Sequence, residues 1–329
     1  MQVGKLLIQV AKQLISPPQM KLRTQILDSQ TEIIKTNLRK HVEELVKIPR
    51  FTQNIAGLYE AAAYIKNEWE AMKVTVKEQK YFGPPGDPNE YKNLIVSFGP
   101  EDAPRIVLGA HYDSETISQT PGADDNASGI AGILEVSRLL KELNPKLKNR
   151  IDIVAYTNEE RPHCALNPKD HEKYIAYMGS YVHAQSLKDA NVPVIGAIIL
   201  EMIGYYSNKA NSQSYPFNAL KLFYPTKADF IGALGNVESF DLIQKVKAGI
   251  KQNSSIKVRS ISVPKEILPD VSRSDHDCYN ILGYKALMIN NTSEYRNKNY
   301  HKKTDTPDTL MYDKMAEIVK GVFSTVVKL

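Results

Sequence analysis

The chain has 329 residues, 42 % hydrophobic and 24 % charged, and its 42 Lys and Arg stand against 37 Asp and Glu for a formal net charge of +5. That balance supplies a large apolar core, excludes wholesale disorder, and offers no dense basic block of the kind that binds nucleic acid. No apolar run approaches the roughly 20 residues needed to cross a bilayer, so a membrane span is excluded too.

Residues 1–30 read as a helical N-terminal extension. Lys12 interrupts the apolar stretch that a secretion signal would need, which favours the cytoplasm over export, and Ser16-Pro17-Pro18 ends any preceding helix. From Gln30 onward Ile33, Ile34, Leu38, Val42, Leu45 and Val46 recur at helical spacing, and residues 58–72 repeat the pattern. Short apolar segments rich in β-branched residues predict strands at 74–79, 93–98, 105–110, 150–156, 194–201 and 285–289. Several are continuous apolar runs, the signature of strands buried on both faces. A helical face holds Ile130, Ile133, Leu134, Leu140 and Leu143, and residues 311–327 supply a terminal helix. The alternation predicts an α/β fold, a three-layer α/β/α sandwich around a central mixed, mostly parallel sheet, with the catalytic domain over residues 31–329. In such folds ligands gather beyond the carboxyl ends of the strands.

The polar residues cluster at those ends. The third predicted strand runs into His111-Tyr112-Asp113-Ser114, where a histidine can ligate a metal while a carboxylate holds its other nitrogen; alone, such a histidine is more often structural. Pro121-Gly122-Ala123-Asp124-Asp125-Asn126-Ala127-Ser128-Gly129 precedes a helix. Capping explains part of that segment but leaves at least one carboxylate able to bridge two cations. The fourth strand ends in Thr157-Asn158-Glu159-Glu160, adjacent acids that can divide metal binding from proton shuttling, and the fifth delivers Glu201. Arg273-Ser274-Asp275-His276 and Tyr300-His301-Lys302-Lys303-Thr304-Asp305-Thr306 add two histidines. Two histidines and three carboxylates, with a further carboxylate as base, suit two divalent metal ions, zinc above others, and an activated water. Cys164 and Cys278 are too few for a disulfide framework or a cysteine zinc motif; they read as two thiols, with a single bridge as the alternative.

Taken in order, these six motifs resemble the bacterial double-zinc aminopeptidase family, whose clan also holds glutamate carboxypeptidase and glutaminyl cyclase, and the resemblance covers residues 40–329. It implies a hydrolase of peptide substrates. It also implies that His111, Asp125 and Glu201 hold one metal, that Glu160 and His301 complete the other with Asp125 bridging, and that Asp124 lies outside the ligand set. Glu159 matches the general base and Asp113 the carboxylate that orients His111. Tyr300 and Arg273 match donors to the oxyanion formed at the peptide carbonyl, against packing and ion pairing as their structural alternatives. The family usually has Asp where Glu201 stands, and residues 161–178 lengthen a loop at the pocket rim. His276 is expected to support the site or pack rather than ligate, and His163, His171 and His183 to lie at the surface. Arg296 is read either as a surface side chain or as part of the rim. Other activities of the clan, carboxypeptidase or glutaminyl cyclase, are the alternatives to aminopeptidase action, and a scaffold without turnover is the alternative to an enzyme.

Overall fold

The computed structural model describes residues 26–160 and 174–329. Eight strands form: β1 (Lys77–Phe82), β2 (Glu90–Phe98), β3 (Arg105–His111), β4 (Arg150–Tyr156), β5 (Val194–Glu201), β6 (Phe230–Gly235), β7 (Lys257–Ser262) and β8 (Ala286–Asn290). They make one sheet in the order β1-β2-β4-β3-β5-β8-β6-β7. The central strands β4, β3, β5 and β8 are mutually parallel, as are β6 and β7, while β1, β2 and the β6–β8 pair add antiparallel edges. Parallel neighbours end at one edge, so whatever follows β3, β4, β5 and β8 is gathered in one place.

Helices α1 (Thr31–Leu45), α2 (Ile55–Ala71), α3 (Ser128–Leu143), α5 (Phe240–Asn253) and α7 (Tyr312–Val326) share one face of the sheet; α4 (Gly179–Asp189) and α6 (His276–Ile281) cover the other. The pleat divides the side chains between them. Ile106, Leu108, Ile198 and Leu200 enter the core with the first group, whereas Val107, Ala197 and Ile199 meet Ala184, Leu187 and Tyr279 on the other face. This is the expected three-layer sandwich. Before α1, Leu27 joins the larger core and Asp28 accepts from Lys320 Nζ at 3.0 Å. No described helix is long and apolar enough to cross a membrane.

The sheet has two strands more than the six expected. β6 carries two glycines, Gly232 and Gly235, and β7 mixes Lys257, Arg259 and three serine or isoleucine alternations, so neither gives the apolar signal of a central strand. They pair with each other and with β8, and α5 between them packs on α7. The first strand starts three residues later than expected because Val74 is buried at the end of α2, and the strand itself is the partly exposed edge Lys77–Phe82. His183 is a correction: it is buried on α4, not at the surface, and its Nδ1 lies 2.6 Å from the Tyr279 hydroxyl, which is itself 2.7 Å from the Tyr156 hydroxyl. Cys278 is buried with Sγ 3.5 Å from Met178 Sδ. Cys164, His163, His171 and most of the 1–30 extension and the 161–178 loop lie outside the described residues.

Burial lowers both His41 and His183 from the usual 6.5 to about 4, outweighing the opposing charges of Glu68 and Asp152 respectively. Both are therefore neutral in the folded protein at neutral pH. As pH falls below about 6.5 the unfolded chain takes up protons that the folded chain refuses until about pH 4, so stability is lost across that window, by up to roughly 3 kcal/mol per histidine. The buried carboxylates with raised values act in the opposite sense, so the histidine is isolated by comparison: urea unfolding of the metal-free protein should show the wild type losing stability relative to His183→Gln as pH falls from 6.5 to 4.5. Equal slopes in the two proteins would remove His183 as a source of the acid sensitivity.

Candidate metal centre

β3 ends at His111, whose Nδ1 donates to the Asp113 main-chain oxygen at 3.1 Å, with the Asp113 carboxylate slightly farther at 3.6 Å. This contact fixes the ring and turns Nε2 toward the sheet edge. The Asp113 carboxylate has a second task. Its two oxygens accept the main-chain N–H groups of Glu159 and Glu160 at 3.3 and 2.9 Å, tying the turn after β4 to the turn after β3. Asn158, which leads into that turn, takes a left-handed φ of 64°, a conformation asparagine tolerates. Its Nδ2 donates to the Tyr81 hydroxyl at 3.3 Å.

The adjacent acids before α3 separate completely. Asp124 turns inward, where it accepts from Gly204 N, Asn291 Nδ2 and Asn297 Nδ2, each at 2.8 Å. Asp125 turns to the strand ends; the Asp125–Asn126 peptide is cis. Asp305 receives the main-chain N–H of Asp124 and of Asp125 on its carboxylate at 3.0 to 3.1 Å. From the other side the buried Arg50 guanidinium donates to Pro121 O and Gly122 O, both at 2.6 Å. Gly122 has φ 62°, and a Cβ there would collide with Asp125 O and Arg50 Nη2, so glycine is required on both counts. Asn126 closes the junction, its Nδ2 donating to Leu200 O at 2.9 Å and its Oδ1 accepting from Met202 N at 3.1 Å.

Two clusters result. One ligand atom from each of His111, Asp125 and Glu201 lies within 4.8 Å of the others, and the same holds for Asp125, Glu160 and His301. His111 Nε2 is 3.2 Å from Glu201 Oε2 and 3.4 Å from Asp125 Oδ1; His301 Nε2 is 3.1 Å from Asp125 Oδ2 and 2.9 Å from Glu160 Oε1. Ligands about 2.0 to 2.1 Å from a tetrahedral zinc stand about 3.3 Å from one another, so both sets already have the spacing of one coordination sphere each. Asp125 gives one oxygen to each. His111 Nε2 is buried and makes no hydrogen bond despite these neighbours. Ser274 Oγ donates to Glu201 Oε2 at 2.7 Å and steadies the longer side chain that stands where the resembling family has aspartate.

The charges explain why cations belong here. Burial pushes Glu159 and Glu201 up, and burial with the Asp125 charge takes Glu160 to about 8. Asp125 resists burial and stays well below the usual carboxylate range because the His111 and His301 imidazoles stand against its two oxygens. Against burial, Glu201 and Glu159 raise His111, while Glu160 and Asp125 raise His301 to about 11. Four crowded carboxylates thus repel one another, and two imidazolium charges are too few to balance them. Two divalent cations on nitrogen and carboxylate donors balance them in full.

Of the other expected residues, Glu159 Oε2 is 4.0 Å from His111 Nε2, outside both clusters but beside them. Tyr300 stacks on the His301 ring with centroids 3.8 Å apart, and burial with the Asp125 and Glu160 charges raises its phenol well above 10. Arg273 Nη2 donates to the Tyr300 hydroxyl at 3.3 Å, while its Nη1 is held by Asp270 at 3.2 Å and Glu294 at 2.5 Å. His276 donates Nε2 to Val271 O at 2.6 Å and does not join a cluster. Arg296 is buried, not at the surface; it lies over the Phe230 ring and donates to Phe230 O and Gln213 Oε1. Arg50, Asn126, Ser274 and Asp305 were not singled out by sequence reasoning. Three of them stand inside the six motifs and could have been found there; Arg50 carries no local signal.

The family model of peptidase family M28 matches residues 93–326. The Escherichia coli (strain K12) protein YfbL is 40 % identical over 284 residues, 84 % of this chain and 82 % of its own. A probable zinc metalloprotease from Pyrenophora tritici-repentis is 25 % identical over 222 residues, 60 % of this chain and 47 % of its own. Among solved structures, the Legionella pneumophila LapA aminopeptidase superposes with a TM-score of 0.69 at 19 % identity over 93 % of this chain and 72 % of that one. The Bacteroides thetaiotaomicron glutaminyl cyclase does so with a TM-score of 0.68 at 19 % identity over 90 % and 98 %. Both share the fold.

Titration of metal-free protein with zinc should saturate at two ions per chain, one for each cluster, and raise the melting temperature. Asp305→Ala removes the anchor of the Asp125 main chain, and loss of such a supporting contact typically weakens metal binding by about 10- to 100-fold. Unchanged affinity in a folded Asp305→Ala protein would show that the Asp125 turn holds its shape without Asp305.

Proposed function

The chain belongs to peptidase family M28 and carries two metal-ligand clusters that share Asp125, and from this premise we propose that it is a zinc-dependent aminopeptidase releasing the first residue of peptides. The observation that carries the reading is Glu159, a mostly shielded carboxylate that belongs to neither cluster and faces the same cleft as both. His111, Asp125 and Glu201 hold one ion and Asp125, Glu160 and His301 the other. Zinc held there would supply Lewis acidity toward the peptide carbonyl and would lower the pKa of a water enough for it to lose a proton near neutral pH.

The remaining chemistry is done by side chains. Glu159 Oε2 accepts the proton of the attacking water and returns it to the departing amine, so one group acts as base and then as acid. Asp113 keeps Glu159 in place through the Glu159 N–H. Tyr300, held protonated and stacked on His301, donates to the carbonyl oxygen as it gains charge. Arg273 orients the Tyr300 hydroxyl and, with two carboxylates already on it, acts through the tyrosine. The polarity of the exopeptidase rests on the motif resemblance and on the likeness to an aminopeptidase structure.

Glu159→Gln should bind zinc like the wild type and lose about two to four orders of magnitude in kcat, because the amide cannot take the proton. Glu160→Ala should lose metal as well. Near-normal turnover in Glu159→Gln would exchange the roles of the two glutamates or exclude the mechanism.

Polarity is read from a substrate panel. Aminoacyl amides and peptides with a free α-amino group should be cleaved and their N-acetylated forms should not. Equal rates for the two would overturn the aminopeptidase reading, and release of a C-terminal residue from blocked peptides would replace it with carboxypeptidase action.

A further inference from the structure

The two strands hidden from the sequence build the floor of the cleft that leads away from the metal clusters. The cleft has a cavity volume of about 110 Å³ and opens to solvent. Strand register places Glu201 beside Asn290, Asn290 beside Gly232, and Gly232 beside Arg259, so one straight row crosses four strands from a metal ligand to an arginine. Three strand spacings make this row about 14 Å long. The next residues of that face, Met288, Leu234 and Ile261, form a parallel apolar row, and Phe230 stands on the opposite side of Gly232. Gly232 has no side chain to interrupt the trough, and a Cβ there would come within 2.5 Å of Leu234 Cδ1.

Arg259 lines the far end of the trough. Among the described residues no carboxylate pairs with it, and its recorded hydrogen bond is from Nη1 to the neighbouring Val258 O at 3.3 Å. The other arginine of the cleft, Arg273, is already held by Asp270 and Glu294. The nearby Tyr215 and Tyr224 hydroxyls are spent on Pro225 O and Ser260 O, at 2.6 and 2.9 Å. Beyond Asn290 the floor over Gly232, Leu234, Met288 and Ile261 is therefore apolar, and it ends at Arg259, whose guanidinium has donors to spare.

The geometry points to a first-residue pocket for acidic side chains: the methylenes of an N-terminal glutamate lie over Gly232 between the apolar rows, and its carboxylate pairs with Arg259. This rests on the aminopeptidase reading for the direction in which the peptide enters. A planar guanidinium suits a carboxylate, which it can bind through two parallel hydrogen bonds. Aspartate is one methylene shorter and leaves the pair stretched. Glutamine fills the same volume without the charge and separates the contribution of the ion pair from that of shape.

The test uses the full chain loaded with zinc and the p-nitroanilides of Glu, Asp, Gln, Leu and Phe. Glu should exceed Gln by about 10- to 100-fold in kcat/KM, the scale of a charge-assisted hydrogen bond. Arg259→Met should erase that ratio, chiefly through KM, and leave the Gln and Leu substrates within threefold. A second readout does not depend on turnover: zinc-loaded Glu159→Gln protein should bind free L-glutamate at least tenfold more tightly than L-glutamine by calorimetry, and Arg259→Met in that background should abolish the difference. Leu or Phe as the best substrate, or a Glu preference that survives Arg259→Met, overturns the pocket assignment while the aminopeptidase reading stands. Arg259-dependent glutamate binding in a protein that cleaves no aminoacyl bond leaves the pocket standing and overturns the aminopeptidase reading. Arg259-dependent cleavage confined to N-blocked peptides ending in glutamate assigns the carboxylate to a C-terminal residue and overturns the N-terminal source.

Discussion

Asp125 and Glu201, buried, and Glu159 and Glu160, mostly shielded, crowd together at the ends of neighbouring strands, and their mutual repulsion is the constraint around which the rest of the site is arranged. Such a group is tolerated only where positive charge is brought to it. Protons on His111 and His301 answer part of the need, and divalent cations answer all of it. Burial in this region follows that arrangement: among the cluster residues His111 and Asp125 are the deepest, and His301 closes the site from a loop that stays partly exposed.

Placement of these side chains depends on main-chain N–H groups captured by carboxylates that bind no metal. Asp113 holds the Glu159–Glu160 turn, Asp305 holds the Asp124–Asp125 turn, and Asp124 holds Gly204 after β5. Each of these acids links two segments remote in sequence, so the metal ligands are positioned as one unit. Arg50 adds a fully buried guanidinium behind the Asp125 turn, and burial lowers it to about 10 against the raising charges of Asp305 and Asp113. A positive charge there offsets part of the acidic excess from behind the turn.

The distal half of the cleft obeys different physics. Near the clusters charge decides what fits, whereas over β8, β6 and β7 the floor is apolar with a single unpaired cation at its end. Chemistry and selectivity are thereby assigned to separate parts of one sheet: the parallel centre brings ligands together, and the antiparallel joint between β8 and β6 extends the floor sideways. A sheet that ended at β8 would have the clusters and no trough.

The α/β class, the sandwich, the central strands and the residues of both clusters were legible in the sequence because burial on both faces writes long apolar runs, and because each run ends in residues that have no reason to be there except chemistry. Division of labour within Asp124-Asp125 and Glu159-Glu160 was legible only through resemblance, since adjacent carboxylates differ in nothing but direction. Tertiary structure alone decided the rest. β6 and β7 are built from glycine, serine and charged residues whose strand character comes from pairing with β8, not from their own propensity. His183 and Arg296 look like surface residues in sequence; they are buried because Tyr279, Gln213 and the Phe230 carbonyl satisfy them, and those partners lie tens of residues away. Arg50 and Arg259 carry no motif at all. Their roles come from what stands opposite them, which is set by register and loop closure, and a linear chain does not record that.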